Sequence, residues 1–135
     1  MLRSWRPALV FAAAGIALAI AGNAVWPAAA FIVAAFLVSP LVFPRSLTAA
    51  EARRRSAADG RPIVYWRPGC PYCMRLRGRL GRAAGKAHWV NIWKDPEGAA
   101  AVRAIAGGNE TVPTVVAGDE SAVNPDAQWV LARVR

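Results

Sequence analysis

From Pro7 to Pro44 the chain has no charged side chain, and its only strongly polar groups are Asn23 and Ser39. A spanning helix needs about 20 apolar residues at about 1.5 Å each. The apolar run from Ala8 to Phe43 is too long for one such helix and suits two short ones. Gly22-Asn23 interrupts it, and Pro27 follows where a second helix tolerates proline in its first turn. The pattern predicts a two-helix transmembrane hairpin over residues 1–44, with helices at about Ala8–Ala21 and Val25–Phe43, the second bent or ended near Pro40. Trp5 and Trp26 fall at segment ends, where amphipathic rings favour the interface. Arg3 and Arg6 precede the first helix, Arg45 and Arg53–Arg55 follow the second, and the connecting turn is uncharged. The positive-inside rule then puts both ends, and the rest of the chain, on the cytoplasmic side of a multi-pass protein of the cell (inner) membrane. A rival reading takes residues 1–21 as a secretory signal, with a basic start and Ala19-Ile20-Ala21 as a small-x-small cleavage site. It leaves Val25–Phe43 as a span of the same orientation.

Beyond the apolar run the composition turns to Ala, Arg and Ser. Residues 45–61 are expected as a basic linker. Thr48-Ala-Ala-Glu51 fits a capping box and Asp59-Gly60 a helix stop, so this segment is either a short helix on anionic headgroups or a solvated spacer. Residues 62–135 alternate between β-branched or aromatic runs and helical periodicity. Strands are expected at Pro62–Trp66, His88–Trp93, Val112–Ala117 and Ser121–Val123. Helices are expected from Pro71 to about Ala84, from Pro96 to the Gly107-Gly108 stop with Asp95 as N-cap, and from Pro125 to Arg135. The order βαβαββα implies a right-handed parallel crossover followed by a hairpin, hence an α/β fold on a mixed four-stranded sheet.

The 17 basic against 8 acidic side chains give a net charge of +9. The excess is shared, +4 in residues 1–60 and +5 in residues 61–135, whereas a nucleic-acid reader concentrates it on one face beside aromatics. A lipid bilayer with anionic headgroups accounts for it, and no nucleic-acid partner is expected. Two cysteines exclude a multi-bridge disulfide scaffold.

Those two, Cys70 and Cys73, lie two residues apart, after a strand and at the start of a helix. Unpaired N–H groups and the positive end of the helix dipole stabilise a thiolate there. Cys70, at the N-cap, is expected as the exposed nucleophile, and Cys73, one turn in, as the more buried partner within disulfide reach. Arg67 and Arg75 add positive charge, and Pro71 occupies the first helical position at no hydrogen-bonding cost. A structural zinc needs four ligands and the chain offers only His88 besides the pair, so no metal is expected. A static disulfide would close a loop too short to stabilise much. His88 is expected to be structural. Thr111-Val112-Pro113 stands where the third strand begins, and a cis Val112–Pro113 bond would leave the Val112 backbone to pair with an extended substrate beside Cys70.

Cys70-Pro71-Tyr72-Cys73, Arg67 three positions earlier and Thr111-Val112-Pro113 together resemble the glutaredoxin family over residues 62–135. The resemblance implies a thioredoxin-like fold and thiol–disulfide exchange with no bound cofactor. It implies a low-molecular-weight thiol (mycothiol or glutathione) as co-substrate and disulfide-containing proteins as substrates. Cys70 and Cys73 would be catalytic. Arg67, Tyr72, Thr111, Val112, Pro113 and Asp126 would bind the thiol and substrate. Within the family the segment Gly107–Val115 followed by Asn124-Pro125 looks more like the mycoredoxins. Val123-Asn124-Pro125-Asp126 stands where glutaredoxins carry a Gly-Gly pair before an acidic residue, which departs from their carboxylate clamp for glutathione. Two further readings stay open: a redox module passing electrons to one membrane or membrane-proximal protein, and an oxidant facing outward in the opposite topology.

Overall fold

The apolar run folds back on itself. The computed structural model describes residues 5–22, 25–37, 39 and 45–134, and these form two compact units, Met1–Val42 and Phe43–Arg135. In the first unit α1 (Arg6–Ile20) and α2 (Val25–Leu37) make a hairpin. Small residues face the partner helix: Ala8, Gly15, Ala28 and Ala35 are buried. A Cβ at Gly15 would sit 3.2 Å from both the Ala28 oxygen and the Phe31 Cβ, so a larger residue would need the partner helix to give by a few tenths of an ångström. Phe11 and Phe31 meet across the hairpin, their ring centroids 6.1 Å apart, while Leu9, Val10, Ile16, Ile32 and Phe36 are exposed.

Both expected helices form, but neither has the length expected of a transmembrane span among the described residues. α1 has 15 residues and α2 has 13, about 22 and 20 Å against an apolar bilayer core of about 30 Å. No helix among the described residues is long and apolar enough to cross a membrane. Gly22, in the left-handed region at φ +82°, follows the last turn of α1. The end expected for the second helix, residues 38 and 40–44, lies outside the described residues, as do Asn23 and Arg3.

The second unit begins earlier than the pattern suggested. Residues 45–61 pack onto the sheet instead of serving as a spacer. Leu47 pairs in parallel with Val90, and Ser46 Oγ accepts from the Trp66 indole at 3.0 Å. Helix α3 (Ala49–Asp59) is capped by Thr48, whose hydroxyl accepts the Glu51 N–H, and stops at Gly60 with φ +70°. Its alanines at 49 and 52 are fully buried against β1 (Ile63–Trp66), β2 (His88–Asn91) and α5 (Pro96–Ile105). That small-residue stripe, at helical spacing, is what docks it.

The remainder follows the expected order. β1 leads into α4 (Pro71–Leu80) and a 3₁₀ segment (Gly81–Lys86), then β2, α5, β3 (Thr114–Ala117), β4 (Glu120–Val123) and α6 (Ala127–Leu131). The sheet order is β2-β1-β3-β4. β1 runs parallel to β2 and antiparallel to β3, which pairs antiparallel with β4. This mixed four-stranded sheet with helices fits the thioredoxin-like expectation. Val64, Trp66, Trp89, Val102, Val115 and Val130 fill the core. Several elements are shorter than expected: β2 ends at Asn91 and β3 begins at Thr114. α4 closes at Gly81, at φ +53°, and α6 spans five residues. Its start is set by Asn124, at φ +50°, and by Asp126, which caps it through the Gln128 N–H.

Candidate active site

The parallel β1–α4 connection sets the site. β1 ends at Trp66, and Arg67-Pro68-Gly69 turns the chain so that Cys70 becomes the N-cap of α4 in an extended conformation (φ −84°, ψ 112°). Pro71 opens the helix without an N–H to satisfy. The Cys70 Sγ then takes the place a Ser or Asp oxygen holds in other caps. It accepts the Cys73 backbone N–H at 3.2 Å, and neither cysteine is in a disulfide.

The two sulfurs are driven in opposite directions. Cys70 is lowered to about 6, first by the hydrogen bond from the Cys73 thiol. The Cys73 N–H, the Arg67 charge and the Tyr72 N–H act the same way, against burial, which pushes it up. Cys73 is pushed up, first by burial and then by the hydrogen bond to and the charge of Cys70. At neutral pH the pair is therefore a Cys70 thiolate backed by a Cys73 thiol.

Cys70 was expected to be exposed and is not: the residue is 5% accessible. The reason comes from across the fold. The Val112–Pro113 bond is cis, and the Val112 oxygen accepts from the Cys70 thiol at 3.4 Å. Val112 and Pro113 are themselves buried. That carbonyl accepts from Cys70 only while the cysteine is protonated, and it loses this donor when Cys70 ionises.

Arg67 is half-buried beside the pair and acts on both sulfurs. Tyr72 is half-exposed, with the Arg75 guanidinium 5.6 Å from its ring centroid. Thr111 is exposed, and its carbonyl accepts the Thr114 hydroxyl at 2.8 Å, so its visible task is to shape the start of β3. Asp126 caps α6 and lies 3.6 Å from Arg79. His88 is bound to the Asp59 carboxylate at 3.0 Å, far along the chain from both cysteines. Among the described residues no group of three or more His, Cys, Asp or Glu comes together to hold a metal.

Sequence reasoning missed the groove next to the cysteines. Tyr72, Arg75, Leu76 and Arg79 on α4 face Asn124–Ala127 across a space of about 230 Å³. Two signals could have found it. Positions 72, 75 and 79 share one helical face, and an Asn before a proline is the kind of residue that takes the left-handed turn seen here.

No curated protein matches the chain. Residues 63–122 match the family model described as Glutaredoxin. This supports a thiol–disulfide oxidoreductase in general, with Cys70 and Cys73 held close together as that chemistry needs.

Proposed function

We propose that the protein is a membrane-anchored thiol–disulfide oxidoreductase that reduces mixed disulfides between proteins and a low-molecular-weight thiol. One observation carries this reading: the Cys70 Sγ sits on the Cys73 N–H at 3.2 Å and is lowered to about 6, with a protonated Cys73 behind it. The Cys70 thiolate attacks one sulfur of the mixed disulfide. A new S–S bond to Cys70 forms as the old one breaks, and the protein thiolate leaves and takes a proton from water. Two routes then restore the enzyme. A second small thiolate can attack the thiol's sulfur, releasing Cys70 and forming the small-molecule disulfide. Alternatively Cys73 loses its proton and attacks Cys70, releasing the small thiol and leaving a Cys70–Cys73 disulfide that two further thiols reduce. Arg67, Tyr72, Val112, Pro113 and Asp126 shape the docking surface, and Thr111 acts through the loop that carries Val112 and Pro113.

Full-length Cys70→Ser is expected to abolish turnover of a mixed-disulfide substrate and Cys73→Ser to retain part of it. Equal residual rates in the two variants would contradict these roles. The sequence Val123-Asn124-Pro125-Asp126, with its asparagine turn, supports the mycoredoxin type. Faster turnover with mycothiol than with glutathione is the expected result, and the reverse order would assign the protein to the glutathione-dependent type.

The hairpin is proposed as the bilayer anchor, on the strength of its outward Leu, Ile, Val and Phe side chains. The arginines flanking it favour a cytoplasmic redox domain. In intact cells an impermeant maleimide should leave Cys70 unlabelled. Labelling of unpermeabilised cells would reverse the topology and favour an outward-facing oxidant. The 5% accessibility of Cys70 favours a second reading, a module serving one specific membrane partner. A single dominant protein adduct trapped by Cys73→Ser would select it, whereas a small-thiol adduct selects the first.

A further inference from the structure

The cations of the redox domain are unevenly placed along the chain. Between Asp59 and Asp95 there is no carboxylate, while Arg61, Arg67, four arginines from Arg75 to Arg82, Lys86 and Lys94 all fall in that interval. Folding gathers part of this excess beside the reactive sulfur. Tyr72, Arg75 and Arg79 lie on one face of α4 at i, i+3 and i+7 and are all exposed. Arg82 continues away from them into the 3₁₀ segment and is exposed too. Among the described residues Arg75 and Arg82 take part in no ion pair, and Arg75 is held over the Tyr72 ring at 5.6 Å. Arg79 has only Asp126, at 3.6 Å, with both side chains more than 60% exposed. Such a pair contributes little and yields to a competing carboxylate. From Tyr72 to Arg79 the track is about 10 Å long. It borders the groove against Asn124–Ala127 and starts two residues from Cys70.

We propose that this arginine track on α4 is a docking surface for an acidic segment of the substrate protein lying beside its disulfide. The proposal rests on the thiol–disulfide exchange reading and names the substrate class for it. The positions next to Cys70 favour a polypeptide over a lipid headgroup as the occupant. The track leads into a groove of side-chain dimensions, and headgroups spread over the same face would cover a sulfur that is already 95% buried by its own domain. An acidic segment is drawn in by the unpaired guanidinia and displaces Asp126 from Arg79, whereas a basic segment meets like charge.

The test uses the full chain in neutral detergent with three oxidised substrates. Two are peptides with the same disulfide, one flanked by glutamates and the other by lysines, and the third is the uncharged hydroxyethyl disulfide. At low salt the acidic peptide is expected to have a kcat/KM about tenfold or more above the basic one. The preference should collapse at about 1 M salt, where screening shortens to about 3 Å. Arg82→Glu is expected to cut the preference severalfold while hydroxyethyl disulfide turns over at the wild-type rate. Equal rates for the two peptides would overturn the proposal. So would hydroxyethyl disulfide turnover that falls on moving from phosphatidylcholine to phosphatidylglycerol vesicles, because the track would then lie on headgroups. Failure to reduce any of the three substrates would remove the exchange reading itself and the proposal with it.

Discussion

Cys70 and Cys73 are the same side chain held in opposite ionisation states three positions apart. What separates them is first the Cys73 thiol, held protonated by burial and donating to Cys70, and then the supply of N–H groups. Cys70 sits outside the first turn of α4, where amides have no helical acceptor and point at its sulfur. Cys73 sits inside the helix, fully buried, with a negative sulfur as its neighbour. Arg67 is the one side chain whose charge lowers both. Replacing Arg67 by Gln is expected to raise the Cys70 titration midpoint and slow its alkylation below that midpoint, and an unchanged midpoint would show that the amides suffice. At this scale the sequence was legible where a role depends on near neighbours. The cap position of Cys70, the first-turn Pro71 and the cis Val112–Pro113 bond could all be anticipated. The burial of Cys70 could not, because the carbonyl that meets its thiol comes from Val112, 42 positions later.

Among the elements, Asp95 shows how one carboxylate can fix two helices. Its Oδ1 accepts the Gly98 N–H at the start of α5, and its Oδ2 accepts the Ala49 N–H at the start of α3. A lost cap costs about 0.5–2 kcal/mol. Asp95→Ala removes the acceptor from two helix starts, while Thr48→Ala removes only that of the Glu51 N–H. Urea denaturation of the full chain in neutral detergent is expected to rank Asp95→Ala as the more destabilising by about 1 kcal/mol. Equal losses would mean that the α3 contact is dispensable. The Asp-Pro-Glu start of α5 could be read directly, but the link to α3 could not, since 46 positions separate the partners. The same distance effect explains why residues 45–61 read as a linker. Their arginines dominated the composition, while the docking face consists of alanines at 49 and 52, which carry little hydrophobic signal one by one.

For the whole molecule, the opposed sulfurs give stability a characteristic pH dependence. Cys70 is lowered in the fold, so between about 6 and the ordinary thiol value of about 8.5 the unfolded chain binds more protons and stability rises with pH. As pH falls through about 6 that contribution is lost. Cys73 is raised, so above about 8.5 the unfolded chain loses a proton that the folded one keeps, and stability declines. Reduced wild-type chain is therefore expected to be most stable near the ordinary thiol value, and Cys70→Ser to lose the rise on the acid side. A rise that persists in Cys70→Ser would assign it to other groups. The chain thus combines a hairpin with an outward apolar surface and a unit that matches the Glutaredoxin family model over residues 63–122, whose chemistry depends on one helix start. The most direct test of that dependence is the rate at which iodoacetamide alkylates Cys70 in the intact, reduced protein, followed across pH with Cys73→Ser and Cys70→Ser to assign the site. A midpoint close to 6, with the loss of all fast labelling in Cys70→Ser, is the expected result. A midpoint at the ordinary thiol value of about 8.5 would contradict the account.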